Sequence, residues 1–124
     1  MEKFDLKRLA KSFHNAFRGV INLLSNEQNA RIHATAAILV GICAYLLEVT
    51  RVEAAVLFMA VIMVFAIEIL NTAIEKICDV VHPDDNKKIE YIKDGMAGAV
   101  LISAIIAIVV AILIFLPHIR VLIK

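Results

Sequence analysis

Four stretches of the chain carry distinct patterns of apolar and polar positions. From residue 4 to about residue 25, Phe4, Leu6, Leu9, Phe13, Ala16, Phe17, Val20, Ile21 and Leu24 recur at mixed intervals of three and four, opposite Lys7, Lys11, His14, Arg18 and Asn22. That is the period of an amphipathic helix, here one that lies along a membrane surface with its apolar face in the acyl boundary. Three apolar runs follow. The first, Ala34 to Leu47, ends in a polar turn carrying Glu48, Thr50, Arg51 and Glu53. The second starts at Ala54 and is unbroken to Ile67, after which carboxylates enter at helical spacing. The third, Ala97 to Leu116, has Ser103 as its one clearly polar side chain. Only the third reaches by itself the roughly 20 residues that cross a bilayer. The other two reach it if their polar ends sit at an interface or inside a bundle, which predicts spans over about 32–49, 54–78 and 95–117. The expected fold is all-α, a three-span integral membrane protomer behind an amphipathic interfacial helix, with residues 1–124 forming a single membrane-embedded domain.

Composition strengthens the lipid reading. Apolar residues make up 61% of the 124 positions and the mean hydropathy is +0.84, against roughly 45–50% apolar residues in soluble domains. A soluble helical bundle with three such runs would have too little polar surface to solvate it. A chain this short has no room for a separate catalytic domain, so any chemistry must come from the spans. Net charge is +1, from 13 basic and 12 acidic residues, without the basic footprint of a nucleic-acid binder. Position matters more than the sum. Lys3, Lys7, Arg8, Lys11, Arg18 and Arg31 precede the first span, and Lys76, Lys87, Lys88 and Lys93 lie between the second and third. Only Arg51 lies in the first turn, with Arg120 and Lys124 at the carboxyl end, so the amino terminus is expected in the cytoplasm and the carboxyl terminus outside. The amino-terminal segment alternates charge and hydrophobe, unlike a cleavable signal, and no linker or internal repeat divides the chain. Cys43 and Cys78 lack disulfide or zinc spacing and are expected to be packing residues.

The carboxylates of the second span carry the candidate chemistry. Glu68, Asn71, Glu75 and Asp79 follow one another at intervals of three, four and four, within an arc of roughly 80° on an ideal helix. Acidic groups in hydrocarbon cost about 2.5–3.5 kcal/mol each on insertion scales, and three on one face also repel one another. A hard divalent cation such as Mg²⁺ offsets this, because it takes oxygen ligands, keeps several waters and is commonly held by one or two carboxylates plus substrate phosphates. Glu27 and Arg31, one helical turn apart, precede the first span, and Lys93 and Asp94 precede the third. Metal, cation and base are the inventory that phosphoryl transfer needs. There is no GxxxxGK[ST] loop, glycine-rich kinase loop or dinucleotide fingerprint, so a nucleotide would need another cradle. The stripe alone leaves three readings open: catalysis, an ion or proton pathway, and polar pairing between helices in a noncatalytic assembly. A pathway would need polar positions continuing along Ala54 to Ile67, and none exist.

The blocks NEQNARIH (Asn26 to His33), EILNTAIEKICD (Glu68 to Asp79) and KDGMAGAV (Lys93 to Val100) resemble the small bacterial membrane kinases that phosphorylate diacylglycerol or undecaprenol. Their spacing and the order of amphipathic helix and spans agree as well, so the resemblance covers nearly the whole chain. It implies a multi-pass protein of the bacterial cytoplasmic membrane that uses ATP and Mg²⁺ to phosphorylate a membrane lipid alcohol. It also implies a homotrimer with composite sites between subunits, and no nucleic-acid partner. Gly95, Ala97, Gly98 and Ala99 fit the close helix approach that such an assembly uses. Carried over by position, Glu68 is the general base, and Glu27 and Glu75 are Mg²⁺ ligands that bridge the metal to ATP. Asn71 supports that site, Lys93 contacts phosphate, and Asp94, Arg8, Asp84, Asp85 and Asn86 contact the nucleotide. Arg31 and Asp79 are supporting residues. Depth fits the division of roles, since Glu68 lies among Phe65, Ala66, Ile67, Ile69 and Leu70 while Glu75 is about 10 Å further along the axis. NEQNARIH and Phe17 to Gly19 look closer to the undecaprenol-kinase-like members. His14, His33, His82 and His118 are read as interfacial polar residues, none of them assigned to metal or catalysis.

Overall fold

The computed structural model describes residues 5–82 and 86–123. Among them are four α-helices and no strand: α1 (Leu6–Asn26), α2 (Gln28–Leu46), α3 (Arg51–Val81) and α4 (Lys87–Leu122). The amphipathic helix and the three spans are all present, but their ends are set by capping chemistry rather than by hydropathy. Asp5 starts α1 by accepting from the backbone N–H groups of Lys7 and Arg8; Phe4 lies outside the described residues. Thr50 starts α3 in a capping box, its hydroxyl accepting from the Glu53 N–H while the Glu53 carboxylate accepts from the Thr50 N–H at 2.8 Å. Arg51 and Glu53, expected in the turn, therefore already belong to the helix. Asn86 starts α4 by accepting from the Lys88 N–H at 2.9 Å, well before the apolar run begins.

The α2–α3 turn closes as a Schellman motif, with the Val49 N–H bonded to the Ala44 carbonyl and the Glu48 N–H to the Tyr45 carbonyl. Glu48 takes the left-handed conformation (φ 51°) that glycine fills at little cost. At the same end α4 continues through Pro117, which has no N–H to donate, and the His118 ring lies 2.9 Å from the Ile114 carbonyl. His118 Nε2 is also 3.6 Å from Glu53 Oε2, which ties the last turns of α4 to the first turn of α3. Between α1 and α2 a single residue, Glu27, is extended (φ −102°, ψ 123°).

At 1.5 Å per residue α2 is about 28 Å long, α3 about 46 Å and α4 about 54 Å, against a hydrocarbon core of about 30 Å. The last three helices are all long and apolar enough to cross a membrane. The two longest overhang it. The chain exposes 9923 Å², whereas a compact soluble protein of this mass exposes about 6,600 Å². Much of the excess is apolar: Ile38, Leu39, Phe58, Met59, Leu101 and Leu113 all point outward from the spans. A surface of that kind is stable against lipid and not against water.

Most of the packing is between α3 and α4, while α2 leans on α3 far more lightly. The buried set among the described residues is small, and four of its ten members are polar. Leu57, Val64, Cys78 and Val100 are joined by Glu68, Asn71, Thr72 and Ser103, and Ser103 Oγ donates to the Val100 carbonyl at 2.7 Å. One expectation needs correction. Cys78 is a packing residue but Cys43 is exposed, because the apolar side chains of α2 are spread around the whole helix and most of its faces meet lipid. Gly95 and Gly98 make no close helix approach within the chain, since a Cβ at either would meet nothing within 4 Å.

The two ends of the α2–α3 turn should respond in opposite directions. Glu48→Gly relieves a left-handed non-glycine residue and should stabilise the protein by about 1 kcal/mol. Thr50→Ala removes the cap and should destabilise it by about 1 kcal/mol. Reversible unfolding in mixed micelles measures both, and equal signs would show that the turn is not built this way.

Candidate active site

The face of α3 that turns inward is defined by Leu57, Val64, Glu68, Asn71, Thr72 and Cys78, and the acidic stripe starts on it. Along the stripe burial falls steadily: Glu68 is 2% exposed, Glu75 is half-buried and Asp79 is exposed. Helix geometry produces this gradient. If Ala54 marks one edge of the hydrocarbon, Glu68 lies about 21 Å in, and the opposite edge, about 30 Å on, falls beside Glu75.

Glu68 Oε2 is buried without a hydrogen-bond partner. One turn along, Asn71 Nδ2 donates to Glu75 Oε1 at 2.9 Å, which leaves the buried Asn71 Oδ1 without a donor. Glu27, at the α1–α2 break, meets α3 through Lys76, Nζ to Oε1 3.3 Å. Lys93, on the polar first turns of α4 ahead of the apolar run, donates to Asp79 Oδ1 at 2.7 Å. That hydrogen bond holds the Lys93 ammonium above its ordinary value. Glu27, Glu75 and the ring of His33 lie within electrostatic reach of Glu68, and Glu75 within reach of Lys93. The helices thus bring Glu27, Glu68, Asn71, Glu75, Asp79 and Lys93 to one end of the bundle.

Arg31 and Asp94 are exposed and make no side-chain hydrogen bond or ion pair among the described residues. Arg8 is exposed on α1, and Asn86 caps α4 with its Nδ2 3.3 Å from His82 Nε2. Asp84 and Asp85 lie outside the described residues. Two contributors had no assigned role in the sequence, Lys76 and His33. Lys76 adjoins Glu75 in the motif, and His33 shares the heptad-spaced face of α2 with the buried Ala30 and the half-buried Ala37 and Val40.

Among the described residues no three His, Cys, Asp or Glu side chains form a ready-made metal cage. A hydrated Mg²⁺ does not need one, since one or two carboxylates and substrate phosphates suffice. Glu27 and Glu75 supply hard oxygen donors, and the orphaned Asn71 Oδ1 is a further neutral oxygen on the residue bonded to Glu75. The donor set therefore fits that metal. Above the site, a cavity of about 320 Å³ lies between α2, α3 and α4, lined by Ala36, Val40, Leu57, Val64, Ala104 and Ala107 among others. His33 is the one strongly polar residue on its wall.

Residues 14–115, which hold every candidate except Arg8, match the sequence profile of prokaryotic diacylglycerol kinase. The chain belongs to that family. As a prokaryotic diacylglycerol kinase family member it falls among enzymes that phosphorylate membrane lipids. It is 38% identical to an undecaprenol kinase from Bacillus subtilis over 91% of this chain and 92% of that one. A diacylglycerol kinase from Synechocystis is 36% identical over 88% of this chain, which spans 63% of that longer protein. A diacylglycerol kinase from Escherichia coli is 29% identical over 82% of this chain and 84% of that one.

An unpaired buried carboxylate costs stability that an apolar side chain would not. Glu68→Leu should therefore raise the unfolding free energy by about 1–3 kcal/mol in mixed micelles. A loss of stability on that substitution would mean that Glu68 has a structural partner after all.

Proposed function

We propose that the protein transfers the γ-phosphoryl group of ATP, with Mg²⁺, to the terminal hydroxyl of a membrane lipid alcohol, diacylglycerol or undecaprenol. The observation that carries this reading is the unpaired carboxylate of Glu68, buried one to two turns below the Asn71–Glu75 pair at the end of the bundle that also holds Glu27 and Lys93. That end is assigned to the cytoplasm by its lysines and by the requirement that ATP reach it, with the carboxyl terminus on the outer side.

The steps follow the depth of the groups. Glu68 accepts the proton of the lipid hydroxyl, and the hydroxyl oxygen forms a bond to the γ-phosphorus as the bond to the β–γ bridging oxygen breaks and ADP departs. Glu27 and Glu75 would hold the metal, with Asn71 fixing the Glu75 carboxylate. Bound Mg²⁺ would neutralise charge on the phosphate oxygens. Lys93 exchanges Asp79 for phosphate when the nucleotide enters, so Asp79 keeps the ammonium poised at the site. Arg8, Arg31, Asn86, Asp94, Asp84 and Asp85 are assigned to the outer nucleotide-contacting and supporting positions. The hydrocarbon of the substrate lies in the 320 Å³ cavity, whose walls continue from Glu68 toward the opposite membrane face. Those walls also argue against an ion or proton pathway, because the α3 residues that line the cavity beyond Glu68, Leu57, Ala60, Val61, Val64 and Phe65, are all apolar. The bare faces at Gly95 and Gly98 are assigned to subunit contacts in a homotrimer, where a close-packed neighbour would cover them.

Purified protein in lipid should transfer labelled phosphate from MgATP to one or both alcohols, and a side-by-side assay ranks them. Glu68→Gln should cut turnover by about 10²–10⁴-fold with assembly intact, and chelating the divalent metal should abolish it. Full turnover by Glu68→Gln would remove the base assignment, and flux of ions into liposomes without ATP consumption would replace the kinase reading with transport.

A further inference from the structure

The site contains a group that the reaction as proposed above does not use. His33 projects from α2 into the mouth of the apolar cavity, beside Val64 and Phe65 and within electrostatic reach of Glu68. The ring makes no hydrogen bond to any described residue, and the Glu68 carboxylate, one turn along α3 from Val64, has a buried oxygen with none either. A half-buried ring on α2 and a buried, unpaired carboxylate oxygen on α3 thus lie on either side of the boundary between the apolar cavity and the acidic end of the bundle. In hydrocarbon such a pair gains more from meeting than it would in water, because neither group has solvent as an alternative. The light packing of α2 on α3 leaves room for the approach that closes the gap, and catalytic hydrogen bonds that are long in the free enzyme commonly tighten with substrate.

We propose that His33 is a positioning residue for phosphoryl transfer, its imidazole N–H donating to the Glu68 carboxylate so that the other carboxylate oxygen is aimed at the lipid hydroxyl at the mouth of the cavity. The inference rests on the kinase reading above and adds a role to it. The ring keeps its proton throughout, and the proton from the hydroxyl goes to Glu68. A carboxylate on a helix has several rotamers, and most of them point its oxygens away from an alcohol entering from the cavity. One fixed donor on α2 selects among them. It also makes the base depend on α2 being seated, which couples the site to the helix that covers the lipid-binding cleft.

The test compares His33→Leu, which fills the same apolar wall without a donor, with His33→Gln, which keeps an N–H donor of similar reach. Wild type and Glu68→Gln are run alongside, all as full-length protein in mixed micelles with MgATP and each lipid alcohol. His33→Leu should lower kcat by about tenfold to a hundredfold, the value of a hydrogen bond to a charged group, with KM for MgATP within about twofold of wild type. His33→Gln should recover most of that loss, which a purely structural role would not allow. Should His33→Leu fail to assemble, His33→Ala carries the same comparison. Unchanged kcat in the Leu variant, equal losses in the Leu and Gln variants, or a loss seen only in KM for MgATP would each overturn the role of His33. Inactive wild-type protein or an active Glu68→Gln would instead overturn the kinase reading on which it rests.

Discussion

A carboxylate held in hydrocarbon without a donor is the constraint around which this molecule is arranged. Glu68 sits about 9 Å inside the edge of the apolar layer, with one oxygen buried and unpaired. Nothing in the packing of α3 against α4 requires it, since Leu57, Val64, Cys78 and Val100 could be joined by another leucine at that level. The groups gathered around it follow from its presence. Asn71 donates to Glu75 rather than to Glu68, and the Lys76 and Lys93 ammonium groups stay further out with Glu27 and Asp79. The cations are thus kept one step away from the deepest carboxylate. An ion pair there would remove the strain and, on the proposed mechanism, would also occupy the lone pairs that must take the hydroxyl proton.

The same reasoning accounts for the light seating of α2. A helix packed tightly over α3 at this level would close the cavity that runs past Val64 and Leu57. Instead α3 and α4 form the closely packed pair, and α2 covers them with a gap of about 320 Å³ walled mostly by alanines and β-branched residues. An empty gap of this size in a soluble core would be costly. In a bilayer, acyl chains or an apolar substrate can fill it, so the cost depends on what occupies it.

What the sequence made legible, and what it hid, divides along the same lines. The apolar runs and the spacing of Glu68, Asn71, Glu75 and Asp79 are properties of single helices, and a period of 3.6 reveals them without coordinates. The helix ends were harder because hydropathy does not mark them, although Thr50 and Glu53 are a capping box that can be read directly. Contacts between helices were hidden. Lys76 with Glu27, Lys93 with Asp79, and His33 before Glu68 depend on how α2 and α4 are rotated against α3. For α2, whose apolar side chains are spread around the whole helix, the pattern does not specify that rotation, which is why Cys43 was expected inside and His33 was given no role.

The lengths of the helices carry the last step. A bilayer asks for about 20 residues, yet α3 has 31 and α4 has 36. The excess lies mostly at one end, where Asp79 and Lys93 stand in water while Glu68, two to three turns back, stands among apolar neighbours. A reaction between a water-soluble phosphate donor and a lipid hydroxyl has to take place across that boundary, since neither reactant can enter the other's solvent far without losing its solvation. A continuous helix through the interface solves the problem with one rigid element, because its carboxylates are then spaced by backbone geometry and not by the positions of loops. Glu27 is the exception that supports the point. It stands in extended conformation where α1 gives way to α2, so this proposed metal ligand is placed at the depth where an interfacial helix turns into a span.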